Sequence, residues 1–332
     1  MFGKTKLFLI IASMLCMASC DTIREDLPRC ELWLEFAFDY NMEYADAFNP
    51  QVKSVDEFVF GSDDKLLFSK RAEATALIGG NRMSLTNELD FGNYKVLTVG
   101  SLSDNFHALD NAGRELVPGT TTLRQLTVAL KRASDIVDFE FQHLYFSGVV
   151  EVDHLPSNTD HKVYRVNLIR NTNRFNIALM KYGEGQKNGT QYTFEIQAPE
   201  SATYSWENEP THQGPVHYVP HYTGQGETSD VFVSARLNTM RLFNRDGWDY
   251  QFIIKNADTG TKIWSYDLMK LLSIARPTSR HDGTELPFQE YLDRQSEWNL
   301  IFTVTEKSGG GEFIQIGLVV GTWIYWLHGI EI

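Results

Sequence analysis

Between Glu31 and Asp39 the side chains alternate. Leu32, Leu34, Phe36 and Phe38 fall on one side, and Glu31, Glu35 and Asp39 largely on the other. Successive side chains of an extended chain point to opposite faces, so this period of two predicts a strand with one buried face. The pattern returns in short bursts. Residues 55–60 read as the next strand and end at Gly61-Ser62-Asp63-Asp64, a tight turn into Leu66-Leu67-Phe68. Further strands are expected at 94–99, 123–130, 138–150 and 162–170, with Gly92, Gly100, Gly113 and Pro118-Gly119 as punctuation. Beyond them, 174–181 alternates through Phe175, Ile177 and Leu179, and Tyr192, Phe194 and Ile196 follow. Strands resume at 231–237, 250–255, 262–266, 298–304 and 313–320. Two short helices are expected, at 268–274 and 287–294, the second with Pro287 at its first position. Residues 201–229, rich in Gly, Pro, His and Tyr, read as a long polar loop. Many short strands without a long amphipathic helix restrict the chain to an all-β class, sandwich or barrel.

The N-terminus is of another kind. Lys4 and Lys6 precede a short apolar run, and Met17-Ala18-Ser19 places small residues directly before Cys20. That is the order of a secretory leader, with an apolar middle too short to span a bilayer, where about 20 residues are needed. A cysteine at this place resembles the bacterial lipobox, which implies cleavage before Cys20 and acylation of its thiol and new amino group. Two or more acyl chains hold a protein stably at a membrane where one does so only marginally. Residues 21–30 are polar and reach at most about 35 Å when extended, so the body stays close to the lipid.

Charge and cysteine content narrow the partners. The chain carries 30 basic against 43 acidic residues, an imbalance that widens once Lys4 and Lys6 leave with the leader. Nucleic acid and anionic lipid are therefore poor partners. Cys16 also leaves and Cys20 is committed to lipid, so Cys30 has no partner for an internal disulfide. Stability must come from burying the 42% of residues that are apolar. The length favours two domains, and DHLPSNTDH (153–161) is the most linker-like stretch. The expected organisation is a leader over 1–19, a tether over 20–30, an N-terminal domain over 31–160 and a C-terminal domain over 161–332.

Several stretches together resemble the FimB-type fimbrial anchor lipoproteins of Bacteroidales, associated with type V pili. They are Tyr40-Asn41-Met42 with Asp46, Phe48 and Asn49-Pro50; the segment VKSVDEFVF (52–60); and Leu168-Ile169-Arg170-Asn171-Thr172-Asn173. Ser234-Ala235-Arg236-Leu237, the segment QEYLDRQ (289–295) and Trp323 complete the set. The order of these matches carries the resemblance, since no one of them is chemically diagnostic. Gly61-Ser62-Asp63 departs from the family where an acidic residue commonly follows the strand, and Thr322-Trp323 replaces a usual Ser-Trp pair. The resemblance implies two tandem transthyretin-like β-sandwich domains. It also implies a lipoprotein at the outer membrane that holds the base of a fimbrium, limits its length and pairs strands with a fimbrillin shaft subunit.

The residues themselves call for no cofactor, no metal and no enzyme chemistry. There is no Gly-x-Ser-x-Gly elbow, His-Glu-x-x-His helix or phosphate-binding glycine loop. His212, His217 and His221 lack the spacing of a metal pair, and Asp63-Asp64 near Asp56 lacks a calcium-loop pattern. Gly309 to Gly311 reads as a hairpin loop. The last twenty residues are nearly unbroken apolar sequence, read as one or two strands that close the second sandwich or are offered to a neighbour. Trp323, Ile324, Tyr325 and Trp326 are thus the candidate partner-binding residues. A rival reading is a surface glycan-binding lipoprotein, for which Tyr204, Trp206, Tyr218 and Tyr222 would have to form an exposed aromatic platform.

Overall fold

The computed structural model describes residues 31–154, 161–181, 191–200, 202–211, 214–225, 231–277, 283–306, 313–320 and 323–327. The first part runs β1 (Glu31–Ala37), α1 (Phe48–Gln51), β2 (Ser54–Phe60), β3 (Leu66–Glu73), β4 (Arg82–Ser84) and β5 (Gly92–Gly100). It continues through β6 (Phe106–Asp110), β7 (Leu126–Leu130), β8 (Ile136–Val137), β9 (Tyr145–Ser147), β10 (Val150–His154) and β11 (His161–Arg170). The second part holds β12 (Thr172–Lys181), β13 (Tyr192–Ala198), β14 (Thr203–Ser205), β15 (Val216–Tyr218), β16 (Tyr222–Gln225) and β17 (Val231–Met240). It ends with β18 (Gln251–Asn256), β19 (Lys262–Asp267), α2 (Leu268–Ser273), α3 (Phe288–Arg294), β20 (Glu297–Glu306), β21 (Phe313–Val320) and β22 (Trp323–Trp326). The chain is all-β with a few short helices, as its alternation predicts.

Four sheets form. The largest has the order β3-β2-β5-β9-β11-β1-β4, with β10 also on β5; the second has the order β16-β17-β12-β20-β21-β22. In both, the first long strand of its half lies parallel to a late one: β1 beside β11 over seven pairs, β12 beside β20 over eight. Two smaller sheets, β19-β18-β13-β15-β8 and β14-β7-β6, each join strands from both parts of the chain. Sheet membership changes across Arg170-Asn171-Thr172, ten residues after the linker-like stretch: β11 completes the first large sheet and β12 opens the second.

Alternation explains the long strands. Leu32, Leu34 and Phe36 of β1 are fully buried with Val55 and Val59 of β2 and Val96 of β5, under a cover that includes Phe48 of α1. The opposite face of the same sheet buries Phe58, Phe60, Leu97 and Val99. That cluster continues without a break into Phe175, Phe194, Phe252 and Phe302 of the second part. Each residue of β9 is buried because its sheet is covered on both faces.

The structure differs from the expected list of elements in several places: β4 and β6 are added, and the expected strand over 123–130 opens with a 3-10 turn at Leu123–Gln125 before β7. Residues 201–229 are not all loop: β14, β15 and β16 lie there, with Tyr204 and Tyr218 in the core. Strands of three or four residues are too short to show a period. The expected strand over 138–150 is broken; Leu144 and Phe141 instead give their carbonyls to Asn171 N and Asn238 Nδ2, so no strand partner is needed there. Pro287 caps α3 rather than opening it, with its carbonyl accepting from Tyr291 N.

Glu57 places a carboxyl group in the core without an ion-pair partner among the described residues. Glu57 is fully buried on the inward face of β2 and accepts from Thr98 Oγ1 at 2.7 Å, while its other oxygen has no partner. Burial pushes its pKa up to about 8. The folded chain thus keeps a proton that the unfolded chain releases above about pH 4.5, so this contribution is fully present below that pH and is lost as the pH rises towards about 8. Glu57→Gln, which mimics the protonated acid, is expected to remove this slope. Urea denaturation should show wild type losing about 2–4 kcal/mol more than the variant between pH 5 and 8. Equal slopes in the two proteins would show that Glu57 is already ionised at pH 5.

Candidate partner-binding edge

The second large sheet ends in a hairpin. β21 pairs with β20 on one side and with β22 on the other, and two residues join β21 to β22. Directly paired residues share a face. On the inward face Ile316 and Leu318 are buried, and Tyr325 and Trp323 sit opposite Leu318 and Val320. These two rings pass beyond the core: Trp323 is 73% exposed and Tyr325 45%. On the outward face an apolar row crosses four strands through Ala178, Ile301, Val319 and Ile324. The row beside it turns polar, with Asn176 Nδ2 donating to Asn299 Oδ1 at 3.0 Å.

The close approach of β22 needs a glycine. A Cβ on Gly317 would stand 2.6 Å from Ile324 Cγ2 and 3.1 Å from Trp326 Cε3. β22 is the terminal strand of its sheet, and no strand lies along its far side among the described residues. β22 is short, at four residues, but its edge has no lysine, proline or bulge and exposes Trp, Ile and Tyr, so it lacks the charged and bent features that keep free edges from pairing. All four sequence-predicted residues, Trp323, Ile324, Tyr325 and Trp326, are thus brought together on one strand. Of the terminal run, Ile316 and Leu318 face the chain's own core and Val320 packs at its margin. Cys20 lies outside the described residues, as do His212 and Gly309 to Gly311.

The remaining candidate positions have structural roles. Tyr204 and Tyr218 are buried and Trp206 packs against the core, which leaves Tyr222, beneath the Arg236 guanidinium at 5.0 Å, as the exposed member of the expected platform. An aromatic glycan platform is not formed by these four. His217 Nδ1 sits 2.7 Å from Glu195 Oε1, and Lys255 also pairs with Glu195. Asp56, Asp63 and Asp64 are each paired with a cation: Arg71, Lys65 and Lys95. No group of three or more metal-binding side chains occurs among the described residues.

The stretches that carry the family resemblance converge elsewhere, at the seam between the two parts. Arg170 donates to Ser296 Oγ and Gln51 Oε1 beneath the rings of Phe38 and Tyr145. Asn171 and Asn208 pair side chain to side chain. Arg294 donates to the Asn41 carbonyl and lies 4.1 and 4.3 Å from the ring centres of Tyr40 and Tyr44. Burial, with Asp293 and Glu290 nearby, holds the Tyr40 phenol above its ordinary range. These residues join α1, β11, β12 and α3 into one packed block. Sequence reading found the stretches but not their meeting, because they lie more than a hundred residues apart.

The family model of the fimbrillin-A associated anchor proteins Mfa1 and Mfa2 matches residues 27–329, and the chain belongs to that family. A candidate adhesin from Bacteroides ovatus is 76% identical, with a TM-score of 0.88 over 94% of this chain and all of the other. A candidate polysaccharide-binding protein from Bacteroides thetaiotaomicron is 28% identical, with a TM-score of 0.73 over 90% of this chain and 99% of the other. The fimbrial anchor protein Mfa2 from Porphyromonas gingivalis shares the fold at 16% identity, with a TM-score of 0.65 over 91% of this chain and all of the other. No match is found among curated proteins. The family is one of structural anchors of the cell envelope rather than of enzymes. No helix among the described residues is long and apolar enough to cross a membrane.

Proposed function

We propose that the chain anchors the base of a fimbrium at the outer membrane and limits its length. Acylated Cys20 holds it to the lipid, residues 20–30 are the tether, and the second part of the chain presents β22 to a fimbrillin shaft subunit. The observation that carries this reading is a terminal strand with no neighbour on its far side among the described residues, with Trp323 and Tyr325 exposed, in a member of an anchor family. A strand added beside β22 gains a ladder of main-chain hydrogen bonds and sets its side chains against Ile324 and the two rings.

Fractionation of fimbriated cells, with recovery of the tagged chain, tests the reading. Cys20→Ala is expected to move the chain and its fimbriae into the medium and to give longer fibres in electron micrographs. A double variant, Trp323→Lys with Tyr325→Lys, is expected to stay in the membrane fraction with an unchanged melt while recovering at least about tenfold less fimbrillin. Wild-type recovery by the double variant would remove β22 from assembly. Retention of Cys20→Ala on membranes after a salt wash would remove the lipid anchor.

A further inference from the structure

The seam encloses space as well as contacts. A cavity of about 530 Å3 opens between the two parts, and a second of about 650 Å3 adjoins it through Gln51, Lys53, His143 and Arg174. Four fixed cations, Lys53, Arg170, Arg174 and Arg294, line the first against the carboxylates of Glu43 and Glu297. This is the reverse of the chain's overall balance, which is acidic by 13 charges.

The cations have few counter-charges. Glu297 is shared between His143 at 3.2 Å and Arg174 at 3.9 Å, and Arg294 takes Glu290 at 2.7 Å. Lys53 Nζ reaches only the Pro50 carbonyl among the described residues, at 3.0 Å. Arg170 is 7% exposed and makes its two side-chain hydrogen bonds to neutral groups, Ser296 and Gln51, while its Nε has no partner. No carboxylate lies within ion-pair distance of it among the described residues. A buried guanidinium with no direct counter-ion is costly, and the cost falls when an anion arrives. Burial accordingly pulls the Arg170 pKa below its ordinary value.

We propose that this seam cavity binds a carboxylate carried on an extended acidic peptide segment, held by Arg174 and Lys53 over the buried charge of Arg170. Arg174 supplies a planar fork suited to a carboxylate, and Lys53 a mobile point charge. Glu43 and Glu297 at the wall, and Glu140 in the adjoining cavity, favour a single negative charge over a phosphate dianion. The adjoining cavity offers Ser101, Asn105 and Gln142, neutral groups that match the amides of a peptide backbone. Among the described residues no tyrosine or tryptophan lines either cavity, and the one phenylalanine that does, Phe141, is buried, so the lining itself offers no ring for a sugar to stack on. The proposal does not use the terminal strand: β22 is the edge of the sheet that also carries Arg174 and Glu297, two strands beyond β20, and none of its residues lines either cavity.

The test uses the full chain without its leader and a glycine-rich peptide that carries one aspartate, with the asparagine peptide as control. Calorimetry and thermal melts are expected to show binding of the aspartate peptide at millimolar or lower concentration and none of the asparagine peptide. Affinity should fall as salt is raised. Lys53→Gln with Arg174→Gln, both at partly open positions, should weaken binding by at least about tenfold and leave the unliganded melt unchanged. Equal binding of the two peptides, no binding up to about 10 mM, or unchanged affinity in the double variant would overturn the proposal. Glucuronate or inorganic phosphate binding more tightly than the aspartate peptide would overturn the peptide assignment.

Discussion

Replacing Arg241 by Met is expected to destabilise the chain by about 3–5 kcal/mol, the cost of leaving one partner of a buried ion pair alone. Arg241 donates through Nε to Asp293 Oδ1 at 2.7 Å and through an Nη to Oδ2 at 2.9 Å, and both side chains are almost wholly enclosed. Burial works against the Arg241 charge, but the Asp293 carboxylate outweighs it and holds the guanidinium pKa above its ordinary value. Gln289 extends the pair by donating to Asp293 Oδ1 at 2.9 Å and to the Leu242 carbonyl at 3.1 Å, which ties the end of β17 to α3. Such a loss is a large part of the roughly 5–15 kcal/mol that holds a domain folded. Urea denaturation of the single variant and of Arg241→Met with Asp293→Leu separates the causes. The double variant should recover much of the loss, because it no longer buries an unpaired carboxylate. Two equally unstable variants would mean that packing of the arginine stem, not charge, sets the cost.

Ending the chain before Phe313 is expected to unfold the second part, whereas ending it after Val320 is not. The longer cut removes Ile316, Leu318 and Leu327, each nearly inaccessible to water. At about 1.5–3 kcal/mol per buried aliphatic, this costs about 5–9 kcal/mol before lost strand pairing is counted. It also strips the cover from Phe302 and Val304 of β20 and makes that strand a raw edge. Among the described residues the shorter cut removes one buried aliphatic, Leu327, and should cost about 1.5–3 kcal/mol. Thermal melts of the two truncations read the difference directly. A longer truncation that melts like the full chain would show that β21 is dispensable to its own sheet.

How much of this was legible in the sequence depended on length and locality. β1, β12 and β20 alternate over seven residues or more, and their buried faces follow from that, whereas β2 is buried on both faces and its apolar run does not say which way it turns. β4, β6, β14, β15 and β16 have three to five residues each and left no period to read. The parallel neighbours β1 with β11 and β12 with β20 left no local trace, since pairing across such a separation is decided by the assembled core. The terminal strand stood out as an apolar run, but its two faces required the register to Val319 and Leu318. The seam was visible only as scattered family stretches; that Arg170 meets Ser296 and Gln51 is a fact of the fold alone.

The parallel pairing has a mechanical meaning for a chain fixed at one end and loaded at the other. β1 leaves its sheet at Glu31 towards the N-terminus, while β11 runs beside it and passes through Asn171 into the second part. Tension between these two points pulls parallel neighbours in opposite directions along their own axes. The seven pairs from Glu31 with His161 to Ala37 with Asn167 are then loaded together in shear, and none can be peeled away first. An antiparallel pair pulled from one end would open like a zip, one bond at a time. Under the anchoring proposed above, the first strand and its parallel neighbour would form a lap joint in the line of force, where the rate of rupture rather than equilibrium stability decides how long the hold lasts.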